Sequence, residues 1–177
     1  MSTPICDFVR GYCESVAVRM HMPGHKGRGE LGCEALDITE VAGADDLACP
    51  EGIILESEEN TTELFGSRHT FYSAGGSSQC VKAMLHLAYL FRPEGTGNCI
   101  LAARNAHKSF LHGCALLGLE PRWLYPEAGT PLCSCPVSPA ALERALQTGE
   151  RPFTVYITSP DYLGGVQDIS ALAEVCH

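Results

Sequence analysis

An α/β fold, with a mainly parallel sheet and flanking helices, is what this 177-residue sequence predicts. Three observations lead there. Short apolar segments alternate, from residue 70 onward, with longer segments whose apolar residues recur at helical spacing. The strand starts fall near residues 70, 99, 123 and 154, separated by 29, 24 and 31 positions, which is the length of a strand, a helix and two loops. Gly, Pro and Ser clusters punctuate the joints. Strands joined by helices run parallel, because each crossover returns the chain to the same end of the sheet.

The elements follow in order. Pro4 to about Ala17 predicts a short helix, with Ile5, Phe8, Val9 and Tyr12 on one face. Residues 21–32 (HMPGHKGRGELG) are too rich in Gly and Pro for anything but loop. A second helix spans Ser57–Phe65 and closes on Gly66. Thr70–Ala74 reads as a strand that turns through Gly75-Gly76-Ser77-Ser78 into a helix carrying Val81, Met84, Leu85, Ala88 and Phe91 on one face. Cys99–Ala103 is a strand, His107–Leu117 a helix ended by Gly118, and Arg122–Tyr125 a strand. Ser138-Pro139 opens a helix to Gln147, Phe153–Thr158 is a strand, and Ile169–Cys176 begins another helix. Two regions result: an N-terminal arm of short helices and the PGHK loop over 1–66, and an α/β body over 67–177.

Composition narrows the function classes. Hydrophobic residues at 45% and charged residues at 19% describe a globular chain rather than a disordered one. A net charge of −9 without a basic run argues against a nucleic-acid surface, which needs clustered Lys and Arg. No apolar run suits an export signal or a bilayer span, so a cytoplasmic protein with no membrane partner is expected. Ten scattered cysteines fit a reducing compartment, with Cys80, Cys99 and Cys114 as small core residues. Cys133-Ser134-Cys135 lacks a second pair at zinc-ligand spacing, and Pro23-Gly24 separates His21 from His25, so no metal site is expected.

Ligands of open α/β sheets bind beyond the carboxyl ends of the strands. Gly76, Ser77 and Ser78 there offer backbone N–H groups, a helix dipole and two hydroxyls to an anion; the plainer alternative is a serine N-cap. Arg104-Asn105-Ala106-His107-Lys108-Ser109 follows the next strand, and its His107 suits a base, a ligand or a ring stacked on another ring. Asp161, in Ser159-Pro160-Asp161-Tyr162-Leu163-Gly164-Gly165, is either a turn former or a ligand-facing acid.

Five of these segments, in order, carry a resemblance: MPGHKGRG at 22–29, DITEVAGADDL at 37–47, the GGSS turn, RNAHKS at 104–109 and TSPDYLGG at 158–165. Together they resemble the N-terminal portion of the ornithine/lysine/arginine decarboxylases, pyridoxal-phosphate enzymes of the aspartate-aminotransferase-like fold. The resemblance implies a first part of the cofactor-binding large domain, with pyridoxal 5′-phosphate held at Gly76, Ser77 and Ser78 and His107 stacked on its ring. It implies a small amino-acid substrate (arginine, lysine or ornithine, released as a polyamine-pathway amine plus CO2) and a homodimer or higher homo-oligomer for the intact enzyme. His21, Pro23, Gly24, His25 and Lys26 become a candidate active-site loop. Two departures stand out: Asp161 replaces a common Thr, and Cys80-Val81 replaces a small residue and Asn. The family's Schiff-base Lys and its pyridine-nitrogen Asp lie further downstream, and Lys26, Lys82 and Lys108 are not in the matching context. The chain thus reads as a fragment, expected to be inactive and marginally stable alone. An aminotransferase or lyase on the same fold, or a non-catalytic cofactor-binding module, are the alternatives.

Overall fold

A computed structural model describes residues 2–177. The chain divides into two compact units, Met1–Ala74 and Gly75–His177.

The first unit is mostly loop organised by side chains. Helix α1, Pro4–Glu14, starts on a proline, whose missing N–H costs nothing there, and Asp7 reaches back to accept from the Thr3 N–H and hydroxyl. A single 3-10 turn, Glu34–Leu36, follows. Helix α2, Ile53–Phe65, begins earlier than its sequence pattern suggests because a distant carboxylate caps it. Asp45 accepts the N–H groups of Glu51 (3.0 Å), Gly52 (2.9 Å) and Ile54 (3.0 Å), together with that of Asp46 (2.9 Å). These donors, Glu51 first, hold its carboxyl far below the usual carboxylate range. Gly66, at φ 62°, ends α2 in the left-handed conformation expected of a glycine after a helix.

Thr70–Ala74 is not a strand, which corrects the sequence expectation. The buried Glu58 of α2 accepts the Tyr72 N–H at 2.7 Å, and the Tyr72 hydroxyl meets Ser57 and Thr61. A backbone donor taken by a carboxylate cannot serve a strand ladder.

The second unit holds helix α3 (Gly76–Leu90), strand β1 (Cys99–Ala103), helix α4 (Lys108–Leu117), strand β2 (Glu120–Leu124), helix α5 (Pro139–Leu146), strand β3 (Thr154–Tyr156) and helix α6 (Ile169–Cys176). Among the described residues the sheet has three strands in the order β2-β1-β3; they run parallel, as the crossover lengths predict, and the expected Thr70–Ala74 strand is missing. Central β1 is buried along its whole length, which is why its sequence is continuously apolar. Its side chains alternate between two cores. Ile100 and Ala102 join Leu85, Phe110, Cys114 and Leu119 on the α3–α4 side. Leu101 and Ala103 join Leu124, Cys135, Val137, Leu142 and Leu172 on the α5–α6 side. Cys99 and Cys114 are core residues whose thiols burial pushes up, whereas Cys80 is exposed, another correction; Cys135 takes a core place instead. Among the described residues β3 pairs with β1 alone, and a cleft of about 1000 Å³ runs beside it, lined by Phe153, Val155, Ile157, Leu172 and Val175 among others.

Candidate functional site

The carboxyl edge of this sheet gathers three of the segments singled out by sequence. Helix α3 feeds β1 through residues 91–98, and α4 leaves β1 through residues 104–107. Both helices pack on one face of the sheet, where Gly113 lets α4 approach α3 so closely that a Cβ there would lie 2.6 Å from Leu85 Cδ1. A helix that hands its C-terminus to the start of a strand points its N-terminus toward that strand's end. The N-termini of α3 and α4 therefore open on the same edge and the same face.

At the first of them, Gly75 occupies the N-cap and supplies no side-chain cap. Gly76 follows at φ +64°, a conformation that a side chain disfavours, with open space where a Cβ would stand. Gly76 and Ser77 are exposed and Ser78 is half-buried. The arrangement leaves the positive end of a 15-residue helix facing outward beside two hydroxyls.

At the second, His107 itself is the N-cap of α4. Its Nδ1 accepts the Ser109 N–H at 3.2 Å and lies 2.9 Å from the Ser109 hydroxyl. A ring nitrogen that accepts a backbone N–H carries no proton, so the hydrogen sits on Nε2. The ring is thereby held by one edge while the residue stays exposed. Sequence reasoning placed His107 at a strand's end but did not foresee that its imidazole would do the work usually given to Ser, Thr, Asn or Asp. Beside it, the Arg104 guanidinium lies 5.0 Å from the Trp123 ring, and both polar atoms of the Asn105 carboxamide are buried without a hydrogen-bond partner.

The third segment follows β3. Asp161 is buried, and its carboxylate is consumed by its own loop and by Ser134 of another. Oδ1 accepts the N–H groups of Leu163 (2.9 Å) and Gly165 (2.8 Å), and Oδ2 accepts the Ser134 hydroxyl. These bonds, Ser134's first, lower its pKa. Of the two readings the sequence left open, the geometry selects the turn former. It also gives Cys133-Ser134-Cys135 a use: the serine between the cysteines ties one loop to the other.

Within the first unit, the loop at 21–27 is internally bonded. His21 directs Nδ1–H to the Met22 carbonyl and receives the Tyr12 hydroxyl on Nε2 at 2.7 Å. His25 accepts the Gly27 N–H on Nδ1 at 3.0 Å, and its Nε2 faces Asp37 Oδ2 at 3.1 Å. Lys26 donates to the His21 carbonyl. Both rings thus have both nitrogens engaged, while Pro23 and Gly24 shape the turn between them. Among the described residues no group of three or more His, Cys, Asp or Glu is placed to hold a metal ion, and no helix is long and apolar enough to cross a membrane.

The sequence compares with known proteins as follows. The family described as Orn/Lys/Arg decarboxylase, major domain, matches residues 3–176. An arginine decarboxylase of Halalkalibacterium halodurans is 31% identical over 186 residues, covering 99% of this chain and 37% of that protein. An arginine decarboxylase of Bacillus subtilis is 27% identical with the same coverage of each. Lysine decarboxylase LdcA of Pseudomonas aeruginosa is 34% identical over 76 residues, covering 43% of this chain and 10% of that protein. The chain spans little more than a third of the length of the curated arginine decarboxylases it matches. Among solved structures, mouse CSAD superposes with a TM-score of 0.50 at 23% identity, over 70% of this chain and 30% of that one, a likeness of fold.

Proposed function

This chain belongs to the Orn/Lys/Arg decarboxylase family, and from that premise we propose that it is the part of a basic amino-acid decarboxylase that grips pyridoxal 5′-phosphate. The single observation that carries the reading is the pairing, on one edge and face of the sheet, of a glycine-serine helix start, whose N-cap glycine brings no side chain, with an exposed, edge-anchored imidazole. The residues fit the group. Gly76, Ser77 and Ser78 would hold its phosphate, because the positive end of a helix stabilises an anion and Gly76, with open space where a Cβ would stand, leaves room for it. His107 would lie against its ring, fixed by Ser109 so that little rotamer freedom is lost on contact. When bound, the cofactor supplies the electron sink that accepts the electron pair left behind as CO2 departs.

What this chain's own residues contribute is binding and orientation. Nδ1 of His107 is occupied by the α4 cap, so any proton the ring handles is handled at Nε2. Asp161 contributes shape: with its carboxylate spent on Ser134, Leu163 and Gly165, it holds the loop after β3 in place at the same edge. The lysine that the family uses to hold the cofactor's aldehyde is not assigned to Lys26, Lys82 or Lys108. Lys26 is bonded to the His21 carbonyl and Lys82 sits on the side of α3 facing Gly113, so neither suits that task. Arginine is the proposed substrate of the whole enzyme, on the names of the relatives at 31% and 27% identity. A cytoplasmic homo-oligomer is proposed for its working form.

The test is cofactor binding by the chain as it stands, followed by calorimetry with pyridoxal 5′-phosphate and competition with inorganic phosphate. Saturable binding that weakens when Ser77 and Ser78 are both replaced by Ala, and again in H107A, is expected. A chain that takes up no cofactor, or variants that bind as tightly as the parent, would remove the basis of the reading.

A further inference from the structure

Arg104 has a fixed position and no partner for its charge. Its guanidinium lies 5.0 Å from the centre of the Trp123 ring, and among the described residues it enters no hydrogen bond and no ion pair. Only its main-chain N–H is in use, donating to the Leu124 carbonyl, so the whole fork of side-chain donors is left over. Guanidinium groups elsewhere in this unit are spent on the fold: Arg122 donates to the Ala145, Thr148 and Glu150 carbonyls, and Arg92 to that of Tyr89. Arg104 is exposed, so a ligand can reach it.

Contacts put this group at the candidate site. Trp123 packs against the core on the α3–α4 face of the sheet, one residue before the end of β2, so a cation over its ring lies on that face and at the carboxyl edge. The same ring is 5.9 Å from Phe110, in the first turn of the helix that His107 caps, and the Phe110 N–H donates to the His107 carbonyl at 2.9 Å. The chain offers this cation no carboxylate. Between residues 75 and 119 the only acid is Glu94, in the connection that feeds the start of β1 at the opposite edge. Glu127, in the loop after β2, makes no ion pair with it, and the Asp161 carboxylate is already in use.

We propose that Arg104 is a binding residue for an oxyanion of the ligand, held by the guanidinium in parallel hydrogen bonds. This rests on the cofactor reading above and extends it. A planar fork of donors matches phosphate and carboxylate equally well, and a cofactor with its amino-acid substrate brings one of each. Contact with Trp123 restricts the side chain in advance, so less rotamer freedom is lost when the anion arrives.

The experiment titrates the full chain and its R104M variant, which keeps an unbranched stem against Trp123 but loses the charge and every donor, with compounds that need no lysine. Pyridoxine 5′-phosphate and pyridoxine differ by the phosphate. The secondary amines that join pyridoxyl 5′-phosphate to arginine and to agmatine differ by the α-carboxylate. R104M should lose about tenfold in affinity wherever the contacted anion is present and nothing where it is absent. A loss with pyridoxine 5′-phosphate and both amines, but not with pyridoxine, assigns the contact to the phosphate; a loss with the arginine compound alone assigns it to the carboxylate. The unfolding temperature of ligand-free R104M should stay within a few degrees of the parent, because an exposed cation–π contact stabilises little. Equal affinities of R104M and parent for every compound overturn the assignment of Arg104 and leave the cofactor reading intact. A loss of the same size with every compound also overturns it, since the packing on Trp123 and not an anion would then be at stake. Failure of the parent to bind any of them, with its fold intact by circular dichroism, sinks the cofactor reading and this inference with it.

Discussion

Replacing His107 separates two jobs that the structure gives to one ring. The imidazole caps α4 through Nδ1 and the Ser109 N–H, and it presents an exposed face. Asn caps a helix about as well as any residue, so H107N should keep the first job and lose the second. H107A loses both. Loss of an N-cap costs about 1 kcal/mol, and the Ser109 hydroxyl loses its 2.9 Å partner as well, for a total of about 1–2 kcal/mol in H107A. For a unit of this size that corresponds to a fall of roughly 4–15 °C in the unfolding midpoint. H107N should stay within a few degrees of the parent. A face-to-ring contact is worth about 0.5–1.5 kcal/mol, so both variants should lose roughly two- to tenfold in cofactor affinity, and by the same factor. The assays are thermal unfolding without ligand and calorimetric titration with pyridoxal 5′-phosphate. An H107N as unstable as H107A would show that the imidazole does not make the cap; an H107N that binds like the parent would show that the ring face is not used.

Two further outcomes follow from the packing and the carboxylates. Phe110 is fully buried against Tyr156, with ring centroids 4.4 Å apart, and against Trp123 at 5.9 Å, so F110A should cost about 3–5 kcal/mol and, in a denaturant titration, leave little of the second unit's cooperative transition. The pKa of Asp161 is lowered in the folded chain, so its contribution is present above the ordinary carboxylate range and is lost as pH falls through the folded value. D161N should therefore flatten the decline of stability on the acid side of that range, as read from unfolding midpoints at a series of pH values, and a D161N profile parallel to the parent's would contradict the assignment.

The parts of the fold legible in the sequence are those that depend on neighbours in the chain. The continuous apolar run Cys99–Ala103 announced a buried central strand, Gly66 and Gly118 marked helix ends at φ 62° and 65°, and Ser138-Pro139 marked a start. Cys80 is exposed although apolar residues surround it in the sequence, because an apolar run does not show that anything covers it; Met84 and Leu87, on the same helix, are each 55% exposed. Of the site, the segments were legible and the roles within them were not. Gly76 and His107 could be picked out by position, yet the ring that caps its own helix depends on a rotamer no spacing rule contains.

Also hidden from the sequence are carboxylates that accept from donors far along the chain, backbone N–H groups or a hydroxyl. Asp45 caps α2 across seven to nine positions, Glu58 takes the Tyr72 N–H across 14, and Asp161 reaches Ser134 across 27. Each looks like a solvated loop acid in the sequence, because nothing local distinguishes an acid whose oxygens are in use from one in water. The Glu58 bond also bears on Thr70–Ala74, short enough for a strand yet not one: the Tyr72 N–H donates to a carboxylate and does not serve a ladder.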